Sequence, residues 1–250
     1  LETQQNEFEA GGFSDTTVLS GKAIFDVGSV DTDDDTYDGK TQFMYTYTMN
    51  LNTSFTGDDN LYTRIKTGNH SSWSKTKSVY NTYLSSGNGN GDALKVDKLW
   101  YTTPVGENQT VTIGPKIENY YMHATTPSIY EPVLKAFTLG GNAAGYGAST
   151  SPGAGWSYTA DNGFALSSNI TSKNPVLADS KTSWATQVGY TQDNYSVSAL
   201  VNLKYNGWTD SYFMSTDGKA RPGDGNSTNI GLRGWWRPTD SSTAMPSISV

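Results

Sequence analysis

Residues 195–205, YSVSALVNLKY, alternate with a period of two. Tyr195, Val197, Ala199, Val201, Leu203 and Tyr205 fall on one parity. Ser196, Ser198, Asn202 and Lys204 fall on the other, with Leu200 as the odd apolar member. Such a period puts the two sets on opposite faces of a β-strand. The same alternation marks residues 17–27, 42–55, 61–68, 111–117, 183–190 and 229–236. Residues 93–103 alternate with broken parity, which a bulge near Lys98 explains. Two further strands, 155–160 and 164–170, flank an Asp-Asn-Gly turn at 161–163, and a last strand begins at Ser247. Apolar positions at helical spacing are scarce. The chain is therefore all-β, with about ten strands and the start of another.

The connections alternate in length. Tight ones (TGDDN, PVGENQ, ADNG, TQDN) take turns with long ones near residues 28–40, 69–92, 118–153, 172–182 and 206–227. A rule that puts every tight turn at one rim predicts an antiparallel up-and-down meander. It is also the loop rhythm of a transmembrane β-barrel. In a soluble sandwich the apolar parity would face inward; in a membrane barrel it faces lipid, and the polar parity lines the lumen. The aromatics favour the barrel. The 11-residue stretch from Tyr195 to Tyr205 is ~33 Å of strand, or ~25 Å of height at a ~40° tilt, which is the apolar band of such barrels. Trp184, Tyr190, Tyr195 and Tyr205 are the expected membrane-interface aromatics. On the polar parity, Lys22, Arg64, Lys66, Lys116, Lys204 and Arg233 would line the pore.

The connection at 118–153 is long enough to carry function. Within it EPVLKAFTLGG suits a short helix, with Pro132 at its first position, Gly140 after its end, and a Val133–Phe137 pair one turn apart. Folded into the lumen, this loop would constrict the pore through Glu118, Glu131, Lys135 and Phe137. Phe137 would then supply the lumenal neighbour that Leu200 needs.

Composition narrows the chemistry. The 250 residues carry a net charge of −7 and no cysteine, which removes disulfides and thiolate metal sites and argues against nucleic acid as a partner. Mean hydropathy is −0.56, and no apolar run approaches the ~20 residues of a transmembrane helix. Asp31, Asp33 and Asp35 have the spacing of a calcium loop, but Thr36 and Gln42 stand where that loop needs Gly and Glu. A weak loop-bound calcium is all that this pattern allows. The two histidines lie in loops, and no nucleophile elbow, phosphate loop or dinucleotide fingerprint occurs, so no enzyme activity, cofactor or metal is expected.

Several segments together resemble the cyanobacterial outer-membrane porins of the carbohydrate-selective (OprB-type) family. They are FSDTTVLSGKAIFDVG, LNTSFTGDDNLYTRIKTGN, VDKLWYTTPVGENQTVTIGPKI, GAGWSYTADNGFALSSNI, SWATQVGYTQDNYSVSA and IGLRGWWRP, in family order from about Phe13 onward. Each is short; their order makes the resemblance specific. It implies a sixteen-stranded barrel in the outer membrane, commonly a trimer, that passes small hydrophilic solutes and inorganic ions passively. A sugar-selective channel, or a non-channel envelope protein binding glycan or wall polymer, is the alternative. It also implies that residues 1–12 end a preceding coiled coil or linker and that residues 13–250 are barrel, incomplete at the C-terminus. Peptidoglycan or wall polymer would be reached only through an S-layer-homology domain, which this sequence does not contain.

Overall fold

The structure is a computed structural model that describes residues 16–31, 40–70, 82–126, 128–147, 149–173, 180–208, 225–238 and 248–249. It is all-β. Its strands are β1 (Thr17–Gly28), β2 (Gln42–Thr53), β3 (Asn60–Gly68), β4 (Lys95–Val105), β5 (Gln109–Ile117) and β6 (Ser151–Thr159). They continue with β7 (Phe164–Ser172), β8 (Thr182–Thr191), β9 (Tyr195–Tyr205), β10 (Ser227–Trp236) and a two-residue β11 (Ile248–Ser249). All belong to one antiparallel meander in chain order, β1 to β11, with no described pairing between the first and last strands. The loop rhythm sets this topology. Every described tight turn follows an even-numbered strand, so these turns share one rim and the long connections share the other. Strands β1 to β10 are 9 to 12 residues long.

Along the sheet the polar parity is the covered one and the apolar parity the exposed one. On β9 the polar parity is covered: Asn202 is 0% exposed and Ser196 2%, while Val197 and Val201 lie open. Its neighbours follow suit. Gln187 of β8 is 1% exposed, whereas Leu232 of β10 is 74% exposed. The register carries the alternation across strands, with Val188 opposite Ala199 and Leu232 opposite Ala199 from the other side. An outer apolar face and an inner polar face therefore run through the sheet. Trp184 is exposed toward the long-loop rim, and Tyr190 and Tyr195 lie toward the tight-turn rim with ring centroids 6.2 Å apart. Tyr205 is half-buried on the same outer parity.

Two bulges re-aim side chains. Opposite Arg64 and Ile65, β4 carries the extra residue Asp97 beside Lys98, where the broken parity predicted it. A second register shift lies between Gly114 and Ile117 on β5. It corrects the expected place of Lys116. The shift turns Ile117 inward, fully buried, and sends Lys116 to the exposed side, where its Nζ donates to the Val96 carbonyl at 2.7 Å.

The long-loop helix is also corrected. Residues Lys135–Gly141 form 3-10 turns interrupted at Thr138, Leu139 and Gly140, and the α-helix is instead α1 (Ala143–Tyr146). The positive φ of Leu139 (54°) and Gly140 (62°) ends the helical path that the Val133–Phe137 spacing suggested. No helix among the described residues is long and apolar enough to cross a membrane. Of the suggested calcium loop, Asp33 and Asp35 lie outside the described residues, as do residues 1–12.

The tight turn between β2 and β3 is built around one carboxylate. Asp59 Oδ1 accepts from the backbone N–H of Phe55 and Thr56 and from the hydroxyls of Ser54 and Thr56, at 2.8–2.9 Å. Its Oδ2 accepts from Tyr101 Oη at 2.7 Å, across on β4. Desolvation works to raise the Asp59 pKa, but these hydrogen bonds outweigh it and hold the carboxyl well below the ordinary carboxylate range. Its stabilisation is thus present above the unfolded pKa of ~4 and is lost as pH falls below that value. Thermal unfolding followed by β-sheet circular dichroism is expected to show Asp59→Asn melting lower than the parent at pH 7, with the gap narrowing below pH 4. An equal gap at both pH values would exclude the charged turn as its cause.

Candidate functional site

What covers the inner polar face is the long connection between β5 and β6. Its first turn, Asn119–Met122, lies against β6, β7 and β8, and α1 lies against β9 and β10. Small residues make room for it. A Cβ on Gly155 would fall 2.9 Å from Met122 Sδ, and one on Gly189 would fall 2.1 Å from Thr125 Oγ1. These inward glycines of β6 and β8 therefore permit an approach that any other residue would block. Leu200, the apolar intruder of β9, is 2% exposed; its methyl and Asn142 Nδ2 both crowd the space above Gly231. Its neighbourhood is thus the start of α1, whereas the expected partner Phe137 is 57% exposed.

The loop is held by amide side chains. Asn119, fully buried, donates from Nδ2 to Asn169 Oδ1 (2.8 Å) and the Ser183 carbonyl (3.1 Å), and accepts from Thr171 Oγ1 (2.8 Å). Gln187 closes a ring with the Thr125 backbone, accepting from its N–H (3.0 Å) and donating to its C=O (3.1 Å). Asn202 donates to the Gly145 carbonyl at 3.0 Å and accepts from Ser183 Oγ at 2.8 Å. Such residues satisfy the backbone of an irregular loop where water is excluded. His123 Nδ1 lies 3.3 Å from both Asn169 Nδ2 and Ser167 Oγ. The amide can only donate, so Nδ1 accepts and the imidazole is neutral. Burial pushes its pKa down to about 4.

An aromatic series joins the wall to the loop. Tyr62 stacks on Trp100 at 4.3 Å, and tilted contacts continue from Trp100 to Tyr121 at 4.7 Å and from Tyr121 to Tyr120 at 4.2 Å. Trp100 is buried with Ile117 and Met122 in the cluster beneath. Burial raises the pKa of Tyr120 and Tyr121, so both stay protonated donors. Beside this series the face is covered only in part, by residues 83–89 of the β3–β4 connection, where the Ser86 carbonyl accepts from Thr46 Oγ1 at 2.7 Å and Ser86 Oγ donates to Asp26 at 2.9 Å. A polar cavity of about 650 Å³ opens between β1–β4 and the loop. Five cations reach its lining: Lys22, Arg64, Lys66, Lys98 and Lys135. Among the described residues two carboxylates do so. Asp97 is gripped by Arg64 through a fork of 2.9 and 2.6 Å, and Glu118, 3% exposed, sits 3.2 Å from Lys98 Nζ. Thr150 Oγ1 bonds both Lys98 and Glu118. Burial lowers the Lys135 pKa; Glu118 opposes this, and the Arg64 and Lys98 cations add to it.

The cavity gathers part of the expected set. Lys22, Arg64 and Lys66 line it, as do Glu118 and Lys135 of the loop. Lys204 and Arg233 share the polar face but lie under the loop: Lys204 is 5% exposed, and Arg233 reaches over the Tyr146 ring at 5.9 Å. Glu131 and Phe137 are exposed on the loop, away from this cavity lining, and Lys116 is on the opposite face. Lys98 was missed in sequence although its parity with Trp100 and Thr102 was readable; its bulge hid it. The amide fasteners were missed because nothing in the residue order of a chain rich in Asn marks which amides meet a loop. Among the described residues no group of His, Asp and Glu could hold a metal.

No family model matches the chain. It is 32% identical over 117 residues to the uncharacterized protein sll0772 of Synechocystis sp. (strain ATCC 27184 / PCC 6803 / Kazusa), a match that covers 46% of this chain and 21% of that protein. It is 30% identical over 154 residues to the uncharacterized protein alr4550 of Nostoc sp. (strain PCC 7120 / SAG 25.82 / UTEX 2576), covering 58% and 26% respectively. The chain thus spans about a quarter of the length of these curated relatives.

Loop attachment is expected to depend on pH. Between ~6.5, the unfolded histidine value, and about 4 in the folded protein, the unfolded chain binds a proton that the folded chain refuses. Stability therefore falls as pH falls through that window, by roughly 3 kcal/mol if His123 acts alone. Unfolding curves at pH 7 and pH 4.5 are expected to show a smaller loss for His123→Asn than for the parent. Equal losses would exclude His123 as the titrating group.

Proposed function

We propose that this chain is wall and constriction loop of an outer-membrane β-barrel that lets small hydrophilic solutes and inorganic ions diffuse passively. One observation carries the reading: the apolar parity of the sheet lies open while the polar parity is covered by the chain's own loop. Contiguous exposed apolar surface calls for a non-aqueous neighbour, and lipid fits a face of this height. Strands of 9 to 12 residues suit the ~9–11 that a tilted transmembrane strand needs. Trp184 and Tyr205 toward one rim, and Tyr190 and Tyr195 toward the other, suit the two membrane–water boundaries. Closure of the sheet into a barrel would remove the two edges that β1 and β11 leave here.

In this reading the mechanism is geometric. Solute crosses beside the loop through the cavity of about 650 Å³, while the loop, bolted to β6–β10 through Asn119, Gln187 and Asn202, fills the rest of the described inner face. Width and lining charge then set selectivity. A sugar-stacking track is the weaker alternative, because Trp100 is buried under Tyr62 and Tyr121 and offers no open ring face to a pyranose.

Reconstituted into planar bilayers, the protein is expected to give stepwise, voltage-independent conductance and to migrate heat-modifiably in gels. Asn119→Ala removes three hydrogen bonds from a buried site, a loss of roughly 2–4 kcal/mol of loop attachment. Its conductance is expected to rise and to become noisier. Solubility as a monodisperse species without detergent, with no conductance, would overturn the channel reading.

A further inference from the structure

The cations of the cavity are not equivalent. Arg64 and Lys98 each have a carboxylate, Asp97 and Glu118 respectively. Lys22 and Lys66 have no ion-pair or hydrogen-bond partner for their ammonium groups among the described residues. The register places them in one row: Lys22 of β1 lies opposite Thr48 of β2, and Thr48 lies opposite Lys66 of β3. All three line the cavity. Two strand spacings separate the lysine Cα atoms by ~10 Å, within reach of two lysine side chains converging on one ion between them. The next row continues the pattern, with Ser20 opposite Asn50, Asn50 opposite Arg64, and Arg64 opposite Lys98.

Like charges brought together on one face of a sheet repel and destabilise it. The chain as a whole is acidic, with net charge −7, so this row is a local reversal of sign. Lined by polar side chains and set in a cavity, it concentrates counter-ions more strongly than an open surface does. Two ammonium groups that flank a hydroxyl suit an ion with several acceptor oxygens better than a halide or a neutral sugar, since each donor can take its own oxygen.

We propose that the Lys22–Thr48–Lys66 row is a binding subsite for small multivalent oxyanions of the inorganic phosphate type, which makes the cavity anion-selecting. The proposal rests on the channel reading for its role in transport, but the binding itself does not need conduction. Transient occupancy would raise the concentration of such oxyanions themselves beside the loop and leave neutral solutes without a gain.

Calorimetric titration of inorganic phosphate into the intact detergent-solubilised protein tests it, with constant ionic strength set by a chloride salt. Saturable binding is expected, weakened about tenfold in Lys66→Gln and in Lys22→Gln, which is the ordinary cost of losing one charge-assisted contact. Lys116→Gln, on the outer face, is the control and is expected to bind as the parent does. Heat-modifiable migration shows that each variant is folded. No saturable binding, or equal weakening by Lys116→Gln, would overturn the proposal even for a protein that conducts. Site-dependent binding by a protein that does not conduct would uphold the subsite and sink the channel reading.

Discussion

A sheet that turns its apolar side outward must satisfy its polar side from within, and the remainder of this structure depends on that constraint. Each amide or hydroxyl on the inner face of β7 to β9 is shut away from bulk water, and an unpaired one would cost ~1–3 kcal/mol. The chain meets the demand with its own loop, through one buried amide side chain and through loop backbone. Asn119 answers Asn169, Thr171 and Ser183, Gln187 takes both backbone groups of Thr125, and Asn202 takes the carbonyl of Gly145. An irregular loop, whose backbone lacks a ladder, and a polar strand face, whose side chains lack water, complete one another.

The remaining features follow from seating that loop. The inward glycines of β6 and β8 exist where the loop would otherwise collide, as Met122 over Gly155 and Thr125 over Gly189 show. The bulge at Asp97 places a carboxylate and an ammonium side by side on one strand, so that Arg64 is neutralised by Asp97 and Lys98 is left to Glu118 at the root of the loop. Ring contacts from Tyr62 through Trp100 to Tyr121 and Tyr120 then fix the near side. Between this anchored edge and β1–β3 the loop stands off from the strands, and there the cationic cavity remains, bounded also by residues 83–89 of the β3–β4 connection.

Alternation and loop length were legible in the sequence because both are local. The bounds of β9, the tight turns at one rim, the all-β class and the bulge beside Lys98 could be read from residue order alone. The helix in the long loop could not, because its i, i+4 pair says nothing of the positive φ at Leu139 and Gly140 that breaks the path. Lys116 was misplaced for a related reason: one extra step between Gly114 and Ile117 inverts every later side chain on the strand. The cavity lay furthest from view. Lys22 and Lys66 are 44 positions apart in sequence and become neighbours only through the register of β2. The same register hid which lysines the loop would bury, as it does Lys204, and which it would leave open.

The central claim is directional: apolar side to lipid, polar side to the loop and the cavity. The chain has no cysteine, so single cysteines can be introduced one by one along β9 from Val197 to Leu203 and spin-labelled in the membrane-reconstituted protein. Collision rates with oxygen, which partitions into lipid, and with a water-soluble nickel chelate then report the neighbour of each position. The account predicts a period of two, with oxygen maxima at 197, 199, 201 and 203 and minima at 198, 200 and 202. Nickel-chelate maxima at 197 and 201, with oxygen flat along the strand, would mean that the apolar face meets water and would contradict it.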